Sequence, residues 1–526
     1  MRESAGARWP AALDAAAVAL AAGGLLLAFP PFGLWPLAWI APAPLLARAA
    51  PGAPGRAFTL GIAWGGLFFL GVAYWTHGVM VRYGGIPGWV ALGLLLLLVL
   101  YLSLYFGVFL WGVCTGVRRW GSRALWLAPA LFTALELLRG HALSGLPWAL
   151  LGTSQVGFLP ALAPAAWIGA YGVGSLIVLT WVWLARLGGS GLGARRRARL
   201  AGAGAAVLAF LFMAGAQRVR RLEALPADLR VACLQVNVPQ AIKWSPAARG
   251  EVLERHRAMS LEAAGQGARL LAWPESSLPF APGETVPEGE AAVSIEDWVA
   301  RRALETGTDI LWGGTAAASG PEGGVLNSAF LTRADGSTPS RYDKLHLVPF
   351  GEYVPLPRLL TFVGPLVREV GRFQAGTRSV LHRTAGVTLG SVICYEILFP
   401  GLVRRAAAGA EVLVNLTNDA WFGTSVAPHI HLAAVPLRAV ENGVAVVRAA
   451  NTGISALVLP SGRVLASAPL EERRVLVGDV PGHGAGTFYR RHGDVWAMAC
   501  AIIAAAYIAA LFFPRAAHPR PGEPQA

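Results

Sequence analysis

Gly390-Ser391-Val392-Ile393-Cys394-Tyr395-Glu396 is an apolar run that stops on a thiol and continues at once into an aromatic residue and a carboxylate. The run reads as a buried strand, and the polar pair after it as the turn that follows. A cysteine at a strand end is well placed for nucleophilic attack. It then needs a base to form the thiolate and a positive group to hold an oxyanion. Free cysteine is also among the most buried residue types and often only fills space. The rest of the chain decides between these readings.

Outward from this strand, short β-rich runs recur at 229–238, 270–273, 310–313, 328–332, 387–394, 412–416, 445–449 and 455–459. Helical patterns at 247–265, 295–306 and 430–442 fall between several of them. Strands alternating with helices predict an α/β domain whose sheets are covered by helices, here over 229–475. Its length suffices for an independent core.

The sequence before residue 229 is of another kind. Over the 526 residues, 55% are hydrophobic and 14% charged, against about 25% charged in ordinary globular domains. Mean hydropathy is +0.51. This is the composition of a membrane protein. Crossing a bilayer takes roughly 17–25 apolar residues. Candidates lie at 11–29, 33–49, 57–76, 86–115, 121–139, 160–185 and 200–217, with a last one at 494–513. They predict a helical membrane domain over 1–217 and a C-terminal membrane helix. The 33–49 stretch is the weakest, being broken by Pro36, Pro42 and Pro44. The first is read as an uncleaved span because further membrane sequence follows it. The Arg/Gly/Pro-rich tail, 514–526, is expected to be disordered.

The net charge of +14 raises nucleic acid as a partner, but the arginines cluster at the ends of apolar runs. That pattern belongs to membrane orientation. Arg48, Arg56, Arg118, Arg119, Arg123 and the group Arg195, Arg196, Arg197 and Arg199 fall on the side that also carries Arg2 and Arg8. Arg82 and Arg139 are the short-loop arginines of the other side. Both termini are therefore expected in the cytoplasm and the α/β domain outside it, in the bacterial periplasm. Four scattered cysteines, Cys114, Cys233, Cys394 and Cys500, suggest neither a disulfide framework nor a metal site.

Polar residues of reactive type sit at three strand ends or in the turns that follow them. Glu275 lies in Trp273-Pro274-Glu275, Lys344 in Tyr342-Asp343-Lys344, and Cys394 in the opening stretch. Strand ends are where α/β sheets place their sites. A carboxylate can carry the thiol proton, and a fixed ammonium can hold an oxyanion. Taken alone, Glu275 reads as a surface turn and Lys344 as a solvated strand-end charge. Together with the cysteine they are harder to dismiss.

These residues, within WPES, RYDKLHLVPFGEYVP and VICYE, resemble the Glu-Lys-Cys set of the nitrilase (carbon–nitrogen hydrolase) superfamily. The block Asn415-Leu416-Thr417-Asn418-Asp419-Ala420-Trp421-Phe422-Gly423 and the preceding membrane helices narrow the resemblance to its membrane-bound, lipoprotein-acylating branch. The resemblance implies an αββα sandwich joined to a helical multi-span membrane domain, acting as a monomer without a cofactor. It implies that Cys394 takes an acyl chain from a membrane phospholipid as a thioester. The chain then passes to the α-amino group of a diacylglyceryl-modified N-terminal cysteine on an apolipoprotein. Glu275 would carry the proton, Lys344 and the Tyr395 backbone N–H would hold the oxyanion, and Glu352 and Glu396 would orient the site. The segment 239–246 resembles the family's arm over the site, with Trp244 as a candidate substrate contact or a plain packed residue.

Other signals are weaker. Asn327 could bond in the pocket or simply serve its turn. His429 and His431 lack a third ligand for a metal. Cys233 alternates with apolar residues and reads as core. A membrane-bound amidase of the same superfamily is the competing enzyme, although one span would tether it. A transporter is poorly supported, because only Asp14 and Glu136 lie in or near the spans.

Overall fold

The computed structural model describes residues 11–189, 192–288, 291–318, 323–353, 373–384 and 386–513. Arg2, Arg8, the end of the 341–355 motif and the 514–526 tail lie outside the described residues.

Among the described residues, fifteen strands follow the membrane helices: β1 (Leu229–Gln235), β2 (Leu270–Ala272), β3 (Thr285–Glu288), β4 (Ala291–Ser294), β5 (Asp309–Ala317), β6 (Val325–Thr332), β7 (Ser340–Asp343), β8 (Phe373–Gln374), β9 (Leu381–Thr384), β10 (Val387–Ile393), β11 (Val412–Thr417), β12 (Ala445–Ala450), β13 (Ala456–Val458), β14 (Val464–Ser467) and β15 (Arg474–Val480). One sheet runs β15-β1-β2-β5-β6-β7, with β8 also paired to β6. A second runs β14-β13-β12-β11-β10-β9, and β3 and β4 form a small hairpin. The neighbours β1-β2-β5 and β10-β11-β12 pair in parallel.

Alternation along the strands sorts the layers. Val231 and Cys233 of β1, Leu270 and Ala272 of β2, and Leu311 of β5 meet Leu389, Ile393, Val412, Val414, Val447 and Ala449 of the second sheet in one dry core. Cys233 is there, fully buried, as its pattern suggests. The opposite face of the first sheet, including Ala232, Leu234, Leu271 and Trp312, is covered by the helices Arg249–Gly265 and Ile295–Thr306. The outer face of the second sheet, including Val392, Leu413 and Val446, is covered by Pro400–Ala407 and Ala427–Asn442. Helix, sheet, sheet and helix thus stack as αββα. The last layer shares its apolar core with the membrane helices, through residues such as Leu437 and Val440.

Six helical stretches among the described residues are long and apolar enough to cross a membrane. They are Ala11–Ala28, Pro54–Ala73, the continuous Gly88–Arg139 stretch, Ala165–Gly188, Ala194–Glu223 and Val495–Phe512. The expected crossing at 33–49 is instead two short helices, Pro36–Ile40 and Ala43–Ala49. Pro42 lies at the break, where it removes a helical hydrogen bond. The expected crossing at 121–139 opens with a 3-10 segment, Gly121–Leu127, and continues as the 12-residue helix Ala128–Arg139. The twelve helical residues rise about 18 Å and the seven 3-10 residues up to about 14 Å more, together comparable with the hydrocarbon thickness of about 30 Å.

Several ionisable residues of this domain are paired. Asp14 accepts from Arg48 (2.6 Å) and Arg56 (2.5 Å), tying three helices together. Arg139, expected in a short loop, is buried beside Glu136 (3.4 Å). It donates to the carbonyls of Leu146 (2.9 Å) and Trp148 (2.7 Å), while Glu136 Oε1 accepts from the Leu151 N–H (2.9 Å). This buried pair shapes the 145–151 loop, which faces the sandwich.

Candidate active site

Three turns at strand ends bring the polar residues together. Glu275 follows β2, and its turn lies against Gly313 of β5. A Cβ at Gly313 would stand 2.5 Å from the Pro274 oxygen and 2.6 Å from the Glu275 Cα, so only glycine admits this approach. Lys344 follows β7 and donates its backbone N–H to the Asn327 carbonyl on β6 (2.8 Å). Cys394 follows β10 in a left-handed conformation, φ +51°. Few non-glycine residues adopt it. It bends the chain sharply into the 3-10 segment Cys394–Leu398.

Glu275 is held from three sides. Its Oε1 accepts from Asn327 Nδ2 (2.7 Å) and Lys344 Nζ (3.3 Å), and its Oε2 from the Asn418 N–H (2.9 Å). Lys344 Nζ also donates to Glu352 Oε1 (2.9 Å), which accepts from Asn327 Nδ2 as well (3.0 Å). Glu352 is anchored in turn by the Val348 N–H (2.8 Å). One ammonium and one carboxamide therefore lie between two carboxylates. Burial works against the Lys344 charge, but Glu352 and Glu275 hold its pKa well above the usual lysine range.

The Cys394 sulfur lies within the field of both groups. Burial pushes its thiol up, Glu275 adds to that, and Lys344 opposes it. The resting residue is thus a thiol, and attack requires the base beside it. A carboxylate fixed by three donors can take that proton and return it.

Glu396 acts beneath the turn. It is fully buried and accepts from the Tyr342 hydroxyl (2.8 Å) and from the backbone N–H groups of Leu345 (2.6 Å), His346 (3.1 Å) and Ile393 (2.7 Å). It thereby fastens the Lys344 segment to the Cys394 turn. Tyr395 directs its hydroxyl away, donating to the Gly145 carbonyl of the membrane domain (3.1 Å). Trp244 stands apart from the cluster, 46% exposed at the end of the short helix Gln240–Lys243. Asn327 bridges both carboxylates, a larger part than turn chemistry.

Some residues at the site have roles that their stretches of sequence do not announce. Lys243 is buried, with Nζ 3.5 Å from the Glu275 carbonyl, and burial lowers it to about 8. Asn418 supplies the third donor to Glu275. His431 does not join His429; it is buried between Asp419 (3.0 Å) and the Cys394 carbonyl (3.3 Å). A lone arginine or histidine in an apolar element is the available signal for such residues, as with Arg448 in β12.

Residues 21–183 match the family model for the apolipoprotein N-acyltransferase N-terminal domain, and residues 230–489 match that for carbon-nitrogen hydrolase. An apolipoprotein N-acyltransferase of Geobacter metallireducens is 40% identical over 498 residues, covering 93% of this chain and 94% of its own. The chain belongs to the apolipoprotein N-acyltransferase family. A relative of that name from Bradyrhizobium diazoefficiens is 35% identical, covering 91% of this chain and 92% of its own. A crystal structure of an amidase from Nesterenkonia sp. matches at 24% identity with a TM-score of 0.37, over 50% of this chain and 92% of that one. In this apolipoprotein N-acyltransferase family member the second matched region begins at β1, where the sandwich begins, and the helix Ala194–Glu223 lies between the two matches.

Proposed function

We propose that this protein transfers an acyl chain from a membrane phospholipid to the α-amino group of the diacylglyceryl-modified N-terminal cysteine of apolipoproteins. It works as a single chain at the outer face of the bacterial inner membrane. The observation that carries the reading is the meeting of Glu275, Lys344 and Glu352 in one buried cluster beside Cys394, on a domain seated against apolar helices.

In the first half, Glu275 takes the Cys394 proton and the sulfur attacks the phospholipid ester carbonyl. The carbonyl oxygen becomes an oxyanion, held by the Lys344 ammonium and the Tyr395 backbone N–H. Collapse breaks the ester C–O bond. The lysophospholipid oxygen leaves with the proton from Glu275, and the acyl group stays on sulfur. In the second half the free amine attacks the thioester through the same oxyanion site. Glu275 takes a proton from nitrogen and returns it to the departing sulfur. Burial of the cluster keeps water from the thioester between the halves. Glu352 balances the Lys344 charge throughout.

The test is to incubate the purified protein with acyl-labelled phospholipid and a diacylated lipopeptide and identify products by mass spectrometry. The expected result is lysophospholipid and N-acylated lipopeptide in equal amounts, with neither from Cys394→Ala. Free fatty acid in place of the acylated peptide would make the protein a hydrolase.

A further inference from the structure

Apart from Asn418, whose N–H holds Glu275, the block 415–423 and the polar residues buried under it have no part in the exchange just described, yet they abut the nucleophile. Asp419 is the branch point. Its Oδ1 accepts from the Thr417 hydroxyl (2.8 Å) and faces His431 Nδ1 (3.0 Å), while its Oδ2 accepts from Arg448 Nη2 (2.5 Å). Arg448 also donates to Asn415 Oδ1 (2.5 Å) and to the Ile454 carbonyl (3.2 Å). Asp419, His431 and Arg448 are all at most 1% exposed. Burial would raise the Asp419 carboxyl, but Arg448 and His431 hold it down to about 2, so the branch point is an anion.

The chain of contacts ends on the reactive residue. His431 Nε2 lies 3.3 Å from the Cys394 carbonyl oxygen. A carbonyl and a carboxylate can only accept, so Nε2 carries a hydrogen towards Cys394 and Nδ1 carries one towards Asp419. That carbonyl belongs to a residue in a left-handed conformation. Such a conformation strains a non-glycine residue and persists only where its surroundings enforce it.

The other side of His431 is supplied by Phe422 of the sandwich and Trp148 of the membrane domain. Its ring faces Phe422 at 6.0 Å and Trp148 at 6.4 Å. Trp75 packs on both Phe422 (4.7 Å) and Trp148 (5.1 Å).

We propose that Asp419 and His431 are positioning residues for the acyl transfer: Asp419, anchored by Arg448, orients His431, whose Nε2–H holds the Cys394 carbonyl so that the thiol points at Glu275 and the oxyanion site. Trp75 and Trp148 form the wall against which this pair is set. The inference rests on the phospholipid reading above.

The test measures the first-turnover burst of lysophospholipid from full-length protein in detergent, with its dependence on phospholipid concentration and the melting temperature of each variant. His431→Phe keeps a ring against Trp148 and removes the donor. It should slow the burst about 100-fold, the scale of a misaimed reacting group, with KM and melting temperature unchanged. His431→Gln restores an N–H near the Nε2 position and should recover to within about tenfold of wild type. A wild-type burst rate in His431→Phe, or a His431→Gln as slow as His431→Phe, would overturn the proposal. If His431→Phe does not fold, His431→Asn, too short to reach the Cys394 carbonyl, takes its place with the same two outcomes. A wild-type protein without a burst would instead overturn the phospholipid reading, and this inference with it.

Discussion

Lys344 neutralises two carboxylates with one ammonium, and all three are nearly enclosed by protein. Removing it while leaving Glu275 and Glu352 would strand buried charge, which destabilises proteins by roughly 3–5 kcal/mol. Lys344→Met should therefore lower the melting temperature. Loss of an oxyanion donor should also slow the acylation burst by about 10²–10³-fold. A variant with normal stability and a normal burst would show that the ammonium has neither duty. Lys243 is the converse case, an ammonium held by little more than a carbonyl. Folding takes it from 10.5 to about 8. Between those values the unfolded chain binds more protons, so stability rises with pH across the window, by on the order of 3 kcal/mol in all. Below pH 8 the full penalty is present. Lys243→Met should thus be more stable than wild type at pH 7.5, and urea titrations should show the gap closing towards pH 10. Glu275 and Cys394 are legible in the sequence because each follows an apolar run that stops abruptly, and Lys344 because it opens the motif block 344–355. Lys243 is not, since its burial comes from the segment after β1 folding against the Glu275 turn, a tertiary event that leaves no local pattern.

At the scale of elements, the position of Glu275 depends on a strand that carries none of the reacting groups. Gly313 lets β5 pass within contact of the turn after β2. Gly313→Ala should leave the sandwich folded, because the glycine lies in a regular strand paired on both sides of the sheet. It should push the Pro274–Glu275 turn outward and cut the lysophospholipid burst by about 10²-fold, the effect of a displacement near 1 Å. An unchanged burst would mean the turn has room to yield. The strands themselves are readable from their apolar alternation, as β1 and β10–β12 attest. The short helices Pro36–Ile40 and Ala43–Ala49 are not. Their composition is apolar enough for a crossing, and only the chain's break at Pro42 separates the two outcomes. The role of Asn327 is hidden for a related reason. Its partners, Glu275 and Glu352, are brought to it by elements distant in sequence.

For the whole molecule, the arginine distribution predicts on which side of the membrane the sandwich lies. A phosphatase fused near residue 300, in the exposed face of the Ile295–Thr306 helix, should be active, and a cytoplasm-dependent reporter at the same point silent. The reverse pattern would overturn the orientation and, with it, the supply of acceptor lipoproteins.

Leu229 at the start of β1 pairs with Val480 at the end of β15. The chain therefore enters and leaves the sandwich about one strand spacing apart, near 5 Å. A domain whose two ends meet can be spliced between two helices of a host without prying them apart. The architecture has the form of an insertion, in which a self-contained hydrolase-type sandwich occupies a single loop of a helical membrane protein. A graft of a related sandwich into that loop would need to match only one narrow junction, together with the aromatic wall of Trp75 and Trp148 on which the sandwich rests.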